Sequence, residues 1–384
     1  MNHVANHADI VIVGAGPVGA ALALGLQDLD ASVLLLEANS PEAAGHRRTL
    51  ALSYGSRLLL ERLGAWERLA SPTPITSIEI SQQGGPGRAG LSAEQADVPA
   101  LGYVVGYGNL HRAFADALRA ADAEIRYATP VHRVAGTQSY GAVACRSDGA
   151  EHWITARLVA VADGGAALAP VPRWRRDYEQ WAVTADVSAD AGHGGVAYER
   201  FTPQGPMALL PHDDGFALVW TVRQEQAERL CGLADADFLA SLQEQFGDRA
   251  GTFTALEARS RFPLRFAFAN PVGRRVVYLG NAAQTLHPVA GQGFNLGLRD
   301  AFELAEAIAR DPRQLGSPAM LQRYRRGRRL DRLGGSLFTD GLVRLFSNDR
   351  VPLNWLRGGG LATFDAWPSA KKFLLRRMMF GAAG

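Results

Sequence analysis

The first apolar run of the chain, Ile10-Val11-Ile12-Val13 after Asp9, has no polar alternation, the pattern of a parallel strand buried on both faces. Gly14-Ala15-Gly16-Pro17-Val18-Gly19 follows at once, a helical pattern covers Ala20 to Leu29, and a second strand, Ala31 to Leu36, ends in Glu37. Two later runs have the same buried-strand character. Leu158-Val159-Ala160-Val161-Ala162 ends in Asp163-Gly164-Gly165, and Arg275-Val276-Val277-Tyr278-Leu279 passes through a glycine-rich turn into a helical pattern from Leu296 to Ile308.

Between these runs the pattern predicts a helix around Leu58, Leu59 and Leu63 ended by Gly64, a strand from Ile75 to Ser81, and a loop from Gln82 to Pro99. A helix from Asn109 to Ala121 has Asn109 as its candidate N-cap, and short strands follow at Ile125–Tyr127, Val131–Ala135, Ala142–Arg146 and His152–Thr155. From Glu179 to Phe268 alternation takes over, in Trp181–Val187, Gly195–Phe201, Met207–Pro211, Phe216–Val222 and Ser260–Phe266, with one helix at Asp235–Phe246. This reads as an antiparallel sheet inserted into an α/β fold, and such a sheet suits the wall of a substrate pocket. From Ala301 onward the pattern is mostly helical. The division that follows is a discontinuous nucleotide-binding domain (1–75, 100–178 and 269–310), a substrate domain (76–99 and 179–268) and a helical C-terminal region (311–384).

The opening unit is G-x-G-x-x-G in the context that gives it meaning. Gly14 permits the tight turn, Gly16 lets backbone approach a pyrophosphate, and Gly19 lets helix pack on strand. Glu37, at the end of the second strand, suits the hydroxyls of an adenosine ribose. The late run from Gly280 to Gly297 is a second strand–turn–helix unit able to bring backbone N–H groups and a helix N-terminus to an anionic or electron-accepting group. Two distant segments thus hold one large cofactor, although the opening unit alone does not separate NAD from FAD.

Composition changes this picture little. The apolar fraction of 47% is that of a globular protein with a sizeable core. Cys145 and Cys231 make neither a disulfide framework nor a metal-ligand cluster. A net charge of +2 argues against a nucleic-acid partner. No basic segment precedes the first strand, so no signal peptide is expected, and no apolar stretch reaches membrane-spanning length. Charge is nevertheless uneven. Arg323, Arg325, Arg326, Arg328 and Arg329 share one helix, and Lys371 to Phe380 is basic, amphipathic and Met-rich, either a surface for an anionic membrane or partner protein, or a helix packed on its own domain.

The glycine motif with Glu37, the mid-chain Asp163-Gly164 and the late G-[DN]-A-A-x-x-x-x-P-x-x-G-x-G-x-N together resemble the single-component FAD-dependent aromatic hydroxylases, most of all those of ubiquinone biosynthesis. Arg48-Thr49-Leu50-Ala51-Leu52-Ser53, Tyr198-Glu199-Arg200-Phe201 and Gly205 to Pro211 extend the resemblance over nearly the whole chain. It implies a Rossmann-like FAD-binding domain interleaved with the antiparallel substrate domain. It also implies roles: Gly14, Gly16 and Gly19 facing the FAD pyrophosphate, Glu37 the ribose, and Arg48 and Arg112 the phosphates or flavin linker. Asp163 would sit near the pyrophosphate and the nicotinamide approach, Asn281 on the ribityl chain, and Pro288, Gly291, Gly293 and Asn295 along the isoalloxazine ring. The family usually has Asp where this chain has Asn281, and His where it has Gln284. Asn keeps an acceptor, so FAD binding is expected to survive.

The reaction so implied consumes NAD(P)H and O₂. Reduced FAD takes up O₂ at C4a, and one oxygen is transferred to an electron-rich polyprenylated phenol, 2-polyprenyl-6-methoxyphenol going to the 1,4-benzoquinol. The pocket must exclude water and help the phenol lose its proton. His287 is a weak candidate for that base, a loop-fixing hydrogen bond being the plainer role. Tyr198, Arg200, His212 and Trp220 lie on the sheet, where alternation turns half of such residues away from the pocket. A substrate with a polyprenyl tail lives in membrane, so a cytoplasmic protein touching the inner membrane, or a biosynthetic complex, through its C-terminal segment is expected. A halogenase is disfavoured, because no Trp-x-Trp-x-Ile-Pro occurs. Another flavin oxidoreductase, or a FAD-stabilised scaffold subunit, stays open, as does NADH against NADPH.

Overall fold

The computed structural model describes residues 7–41, 48–85, 87–147, 149–165, 168–287, 291–346 and 351–383. Its first sheet is built on β1 (His7–Val13), with β2 (Val33–Leu36) and then β8 (Glu124–Arg126) parallel to it on one side. On the other side β1 pairs in parallel with β11 (Ala150–Val161). The twelve residues of β11 unite what the sequence pattern splits into two strands. Its first half pairs antiparallel with β10 (Gly141–Ser147), which continues to β9 (Val131–Gly136), and its end pairs in parallel with β17 (Val276–Tyr278). Ile10 and Ile12 face one core with α1 (Pro17–Gly25), α4 (Tyr107–Ala120), α7 (Gln292–Arg310) and the start of α8 (Pro318–Phe346). Val11 and Val13 face a second core, with Val143 and Val159. Burial on both faces is why the apolar run of β1 does not alternate.

A second sheet joins β18 (Gln284–Thr285), β16 (Phe253–Phe268), β12 (Trp174–Ala189), β15 (Gly215–Arg223), β14 (Gly205–His212), β13 (Val196–Thr202), β5 (Ser77–Gln82) and β6 (Arg88–Ser92), in that order. One face of it packs on α5 (Gln224–Gly232) and α6 (Asp235–Phe246) through Met207, Leu209, Phe216, Leu218 and Trp220. Phe216, Phe238 and Phe246 are fully buried there, each stabilising the fold by roughly 1.5–3 kcal/mol. A small sheet of β3 (Thr49–Ser53), β7 (Gly102–Gly106) and β4 (Thr73–Ile75) links the two large ones. The chain ends in α9 (Val351–Asp365) and α10 (Pro368–Phe380).

Several local expectations change. The segment from Gln82 to Pro99 is not a loop: it holds β6 and a short helix α3 (Ala93–Ala96). Ser92 and Gln95 cap that helix reciprocally, through bonds of 3.3 Å each, and S-x-x-Q is a signal legible in sequence. Helix α4 is capped by Gly106, so Asn109 lies inside its first turn. Two helices, α5 and α6, interrupt the antiparallel sheet where one was expected, and β12 runs unbroken from Trp174 past residue 178.

Candidate active site

A cavity of about 2080 Å³ opens between the two large sheets. Pockets for a single drug-sized ligand hold roughly 300–1,000 Å³, so there is room here for a dinucleotide and a second molecule.

The parallel sheet supplies the first wall. Gly14 has φ +97°, and a Cβ there would lie 2.6 Å from the Ala162 carbonyl oxygen. Gly16 is the N-cap of α1, and its Cβ would meet nothing nearer than the Tyr107 hydroxyl at 3.8 Å, so the start of α1 is open to the cavity, while the Gly14 N–H is bonded to the Leu36 carbonyl at 2.8 Å. Gly19 does not line the cavity: a Cβ there would sit 1.9 Å from the Gly14 carbonyl oxygen. The expectation that it faces the pyrophosphate is corrected, since close packing of α1 on the turn is what requires this glycine. The Glu37 carboxylate accepts from the Ala15 N–H at 2.8 Å and from the Asn39 N–H and Nδ2 at 3.0 and 2.9 Å. Arg48, stacked over Tyr107 at 5.5 Å, and Arg112 bring positive charge to the same wall. Asp163 lines it too, and accepts from the Gly165 and Leu168 N–H groups at 2.9 and 3.1 Å.

The late glycine run supplies the second wall. Asn281, Gly291, Gly293 and Phe294 line the cavity, where the N-terminus of the 19-residue α7 ends. Gly291 has φ +59°, and a Cβ there would press on Ala51 at 3.1 Å, whereas one at Gly293 would meet nothing within 4 Å. The N-terminus of α7, the positive end of its helix dipole, thus faces the cavity. Asn295 is a correction. It is buried away from the cavity, where its Oδ1 accepts from the Ser53 N–H at 2.8 Å and the Ser56 hydroxyl at 2.7 Å. Its Nδ2 donates to the Ala51 and Gly291 carbonyls at 3.0 and 2.8 Å, so it fastens the glycine loop to β3. Pro288 lies outside the described residues. His287 lines the cavity but is 1% exposed, edge-on to Tyr178 at 5.3 Å, and burial pushes its pKa down to about 3. An imidazole that acidic stays neutral and cannot retain a proton taken from a phenol.

Beneath this loop lies a network that sequence reasoning missed. Gln284 is buried: its Nε2 donates to Asp300 Oδ2 and its Oε1 accepts from Arg332 Nε, both at 2.6 Å. Asp300 also accepts from the Gly280 N–H at 3.2 Å and from Arg328 Nε at 2.8 Å. Arg328, 1% exposed, reaches Asp331 at 2.9 Å as well. Part of the arginine cluster of α8 is therefore internal, holding the loop that carries Asn281, while Arg323, Arg326 and Arg329 are exposed. The signal for it was Tyr324, Arg328, Asp331 and Arg332 falling at helical spacing on one face.

The free face of the antiparallel sheet is the third wall. Alternation turns Tyr198 and Trp220 into the core with α5 and α6, and Arg200 donates to the Gln245 carbonyl. His212 and Glu199 are on the cavity side. Glu199 is half-buried, its buried Oε1 has no hydrogen-bond partner, and burial raises its pKa to about 8. A fourth wall comes from α9 and α10, whose Leu361, Phe364, Phe373 and Leu374 oppose Ile78, Ile80 and Leu91 of the β5–β6 hairpin.

A glycine turn at a helix N-terminus, two arginines beside it, a second helix N-terminus and a cavity of this size fit a flavin-binding oxidoreductase with space for a substrate. Residues 7–331 match the family described as FAD binding domain. The chain is 34% identical to the ubiquinone hydroxylase UbiL of Rhodospirillum rubrum, over 97% of this chain and 89% of that protein. It is 31% identical to the 3-demethoxyubiquinol 3-hydroxylase of Escherichia coli, over 92% of this chain and 93% of that one. Among solved structures, p-nitrophenol 4-monooxygenase PnpA from Pseudomonas putida shares the fold with a TM-score of 0.76 at 18% identity, over 96% of each chain. The chain belongs to the FAD-binding hydroxylase family that includes the ubiquinone-biosynthesis hydroxylases. It is a FAD-dependent aromatic hydroxylase, with NAD(P)H as its co-substrate.

Proposed function

We propose that this enzyme hydroxylates the ring of a polyprenylated phenol in ubiquinone biosynthesis, 2-polyprenyl-6-methoxyphenol going to the 1,4-benzoquinol. The observation that carries this is one continuous cavity. It runs from the glycine turn past the N-terminus of α7 to the antiparallel sheet, and on between the β5–β6 hairpin and helices α9 and α10. A polar head fits the middle of that path and an apolar tail fits its end.

In this reading Gly14 and Gly16 approach the pyrophosphate, Arg48 and Arg112 balance its charge, and Glu37 accepts from the adenosine ribose hydroxyls. Asn281 bonds the ribityl chain, and Gly291 and Gly293 turn N–H groups toward the flavin ring. Asp163 acts mainly through the loop it caps. Bound FAD, once reduced by NAD(P)H, supplies the activated oxygen; one atom of O₂ enters the ring and the other leaves as water. The chain's own task is to hold the phenol against the flavin edge and to keep water out, which the apolar lining from Leu210 to Phe364 favours.

The test is oxidation of NAD(P)H by the purified flavoprotein with 2-polyprenyl-6-methoxyphenol, with product identified. A matched assay with 3-demethoxyubiquinol tests the step in which the Escherichia coli relative is named. Stimulated oxidation with a hydroxylated product supports the reading, and bound flavin indifferent to both phenols leaves a scaffold role.

The cavity mouth bears on the membrane. No helix among the described residues is long and apolar enough to cross one. Helix α10 is packed on its own fold, with Leu375 and Met379 buried and Lys371 paired with Asp365 at 2.9 Å. Beside the mouth, Trp367 and Phe373 are 60% and 72% exposed, and Lys372 and Arg376 are exposed too. We propose that this rim rests on an anionic membrane. Truncation after Pro368 would not test it cleanly, because the Met379 carbonyl accepts from the Ser53 hydroxyl at 3.0 Å. Sedimentation of Trp367→Ala/Phe373→Ser with anionic vesicles does, and undiminished binding would contradict the proposal.

A further inference from the structure

Glu199 lies on β13, on the wall of the cavity. Across the strands its register runs Ile80, Glu199, Ala208, Val219, Thr184, and every member of that row lines the cavity. The carboxylate is thus set in a row of small or apolar neighbours. Its Oε1 is buried with no hydrogen-bond partner in the protein, an arrangement that costs free energy unless a group in the cavity, water or ligand, partners it.

The row lies between the two ends of the proposed substrate path. Ala197, two residues earlier on the same face, belongs to an apolar cluster with Ala51 and Leu210, and Ala51 abuts Gly291 of the glycine loop. Glu199 stands about 7 Å farther along the strand. On its other flank Ile80 joins the cluster of Leu91, Phe364 and Leu374 at the cavity mouth. A phenol whose tail leaves through that mouth brings its head group to this row.

We propose that Glu199 is the catalytic base of the hydroxylation, accepting the proton of the substrate's phenolic O–H. The inference rests on the phenol-hydroxylase reading above. In the step, the phenol O–H bond breaks, its electron pair stays on oxygen, and the proton forms an O–H bond on the carboxylate. The resulting phenolate pushes electron density into the ring carbon that receives oxygen, and the neutral acid is the form this apolar row prefers. Burial alone raises the pKa of Glu199, to about 8. Asp186, His212, Glu257 and Arg265, which also line the cavity, are not among its causes. A carboxylate near 8 is far better matched to a phenol near 10 than an ordinary one near 4.5. Tyr198 and Arg200 flank it in sequence but point to the other face.

The experiment compares the FAD-loaded wild type with Glu199→Gln and Glu199→Asp, using 2-polyprenyl-6-methoxyphenol. Flavin content and melting temperature report folding, perturbation of the flavin spectrum reports phenol binding, and product yield is followed from pH 6 to 9. Glu199→Gln should bind flavin and phenol yet lose product formation about a hundredfold or more. The wild-type rise in rate toward pH 8 should flatten in this variant, and Glu199→Asp should recover part of the rate. Glu199→Gln hydroxylating at the wild-type rate with the wild-type pH profile overturns the inference alone. A wild type that binds flavin but ignores the phenol overturns the functional reading and this inference with it.

Discussion

Glu199→Gln should also stabilise the protein, by an amount that grows with pH. The carboxylate titrates at about 8 in the folded chain, against an ordinary value of 4.5. Below pH 4.5 it is protonated in both states and costs nothing. Between 4.5 and 8 the unfolded chain has released a proton that the folded chain still holds, so stability falls by about 1.4 kcal/mol per pH unit. The accumulated penalty is about 3 kcal/mol at pH 7 and approaches about 5 kcal/mol above pH 8, an upper bound because water in the cavity weakens it. Glutamine does not titrate and escapes this loss. Urea unfolding of both proteins without flavin, at pH 5, 6, 7 and 8, isolates the effect, because every other carboxylate is common to the pair. The stability advantage of the variant should be small at pH 5 and reach several kcal/mol at pH 8. A difference that stays flat over this range would refute the claim that the carboxylate is held, unpaired, in an apolar row.

Other substitutions probe other links. Gly19→Ala places a methyl group 1.9 Å from the Gly14 carbonyl, and should abolish flavin retention, read from the absorption spectrum of the purified protein. Arg328→Met strands Asp300 in the buried network, and should lower unfolding free energy by about 3–5 kcal/mol in denaturant titration. Asn295→Ala removes the ties between the glycine loop and β3, and should cost at least about 2 kcal/mol and reduce bound flavin. Phe364→Arg puts charge in the cavity mouth, and should raise KM for a long-tailed phenol while leaving that for a tail-less analogue little changed.

The nucleotide end of the fold was legible because its chemistry is local. Ile10 to Val13, Gly14 to Gly19 and Glu37 are contiguous, and one strand–turn–helix unit constrains all of them. The role of Gly19 was legible in the same spacing, whereas the family resemblance pointed it toward the ligand. Asn295 was misread for a different reason: its partners, Ala51 and Ser53 on β3 and Ser56 in the helix that follows, are more than two hundred residues away. The network around Asp300 is also nonlocal, and a cluster of arginines reads as solvated surface until α7 and α8 pack together. Glu199 was hidden by parity. The motif Tyr198-Glu199-Arg200-Phe201 drew attention to its larger side chains, and only the pairing of β13 with β5 and β14 shows which of the four face the cavity.

The central claim, a FAD hydroxylase acting on a polyprenylated phenol, is tested most directly by oxygen incorporation. Purified flavoprotein would be given NAD(P)H and 2-polyprenyl-6-methoxyphenol under ¹⁸O₂, with the product analysed by mass. The account predicts one labelled oxygen in the ring of the 1,4-benzoquinol, and phenol-dependent consumption of NAD(P)H close to one equivalent per product. Flavin that is reduced and reoxidised to hydrogen peroxide, with no label in the phenol, would contradict it.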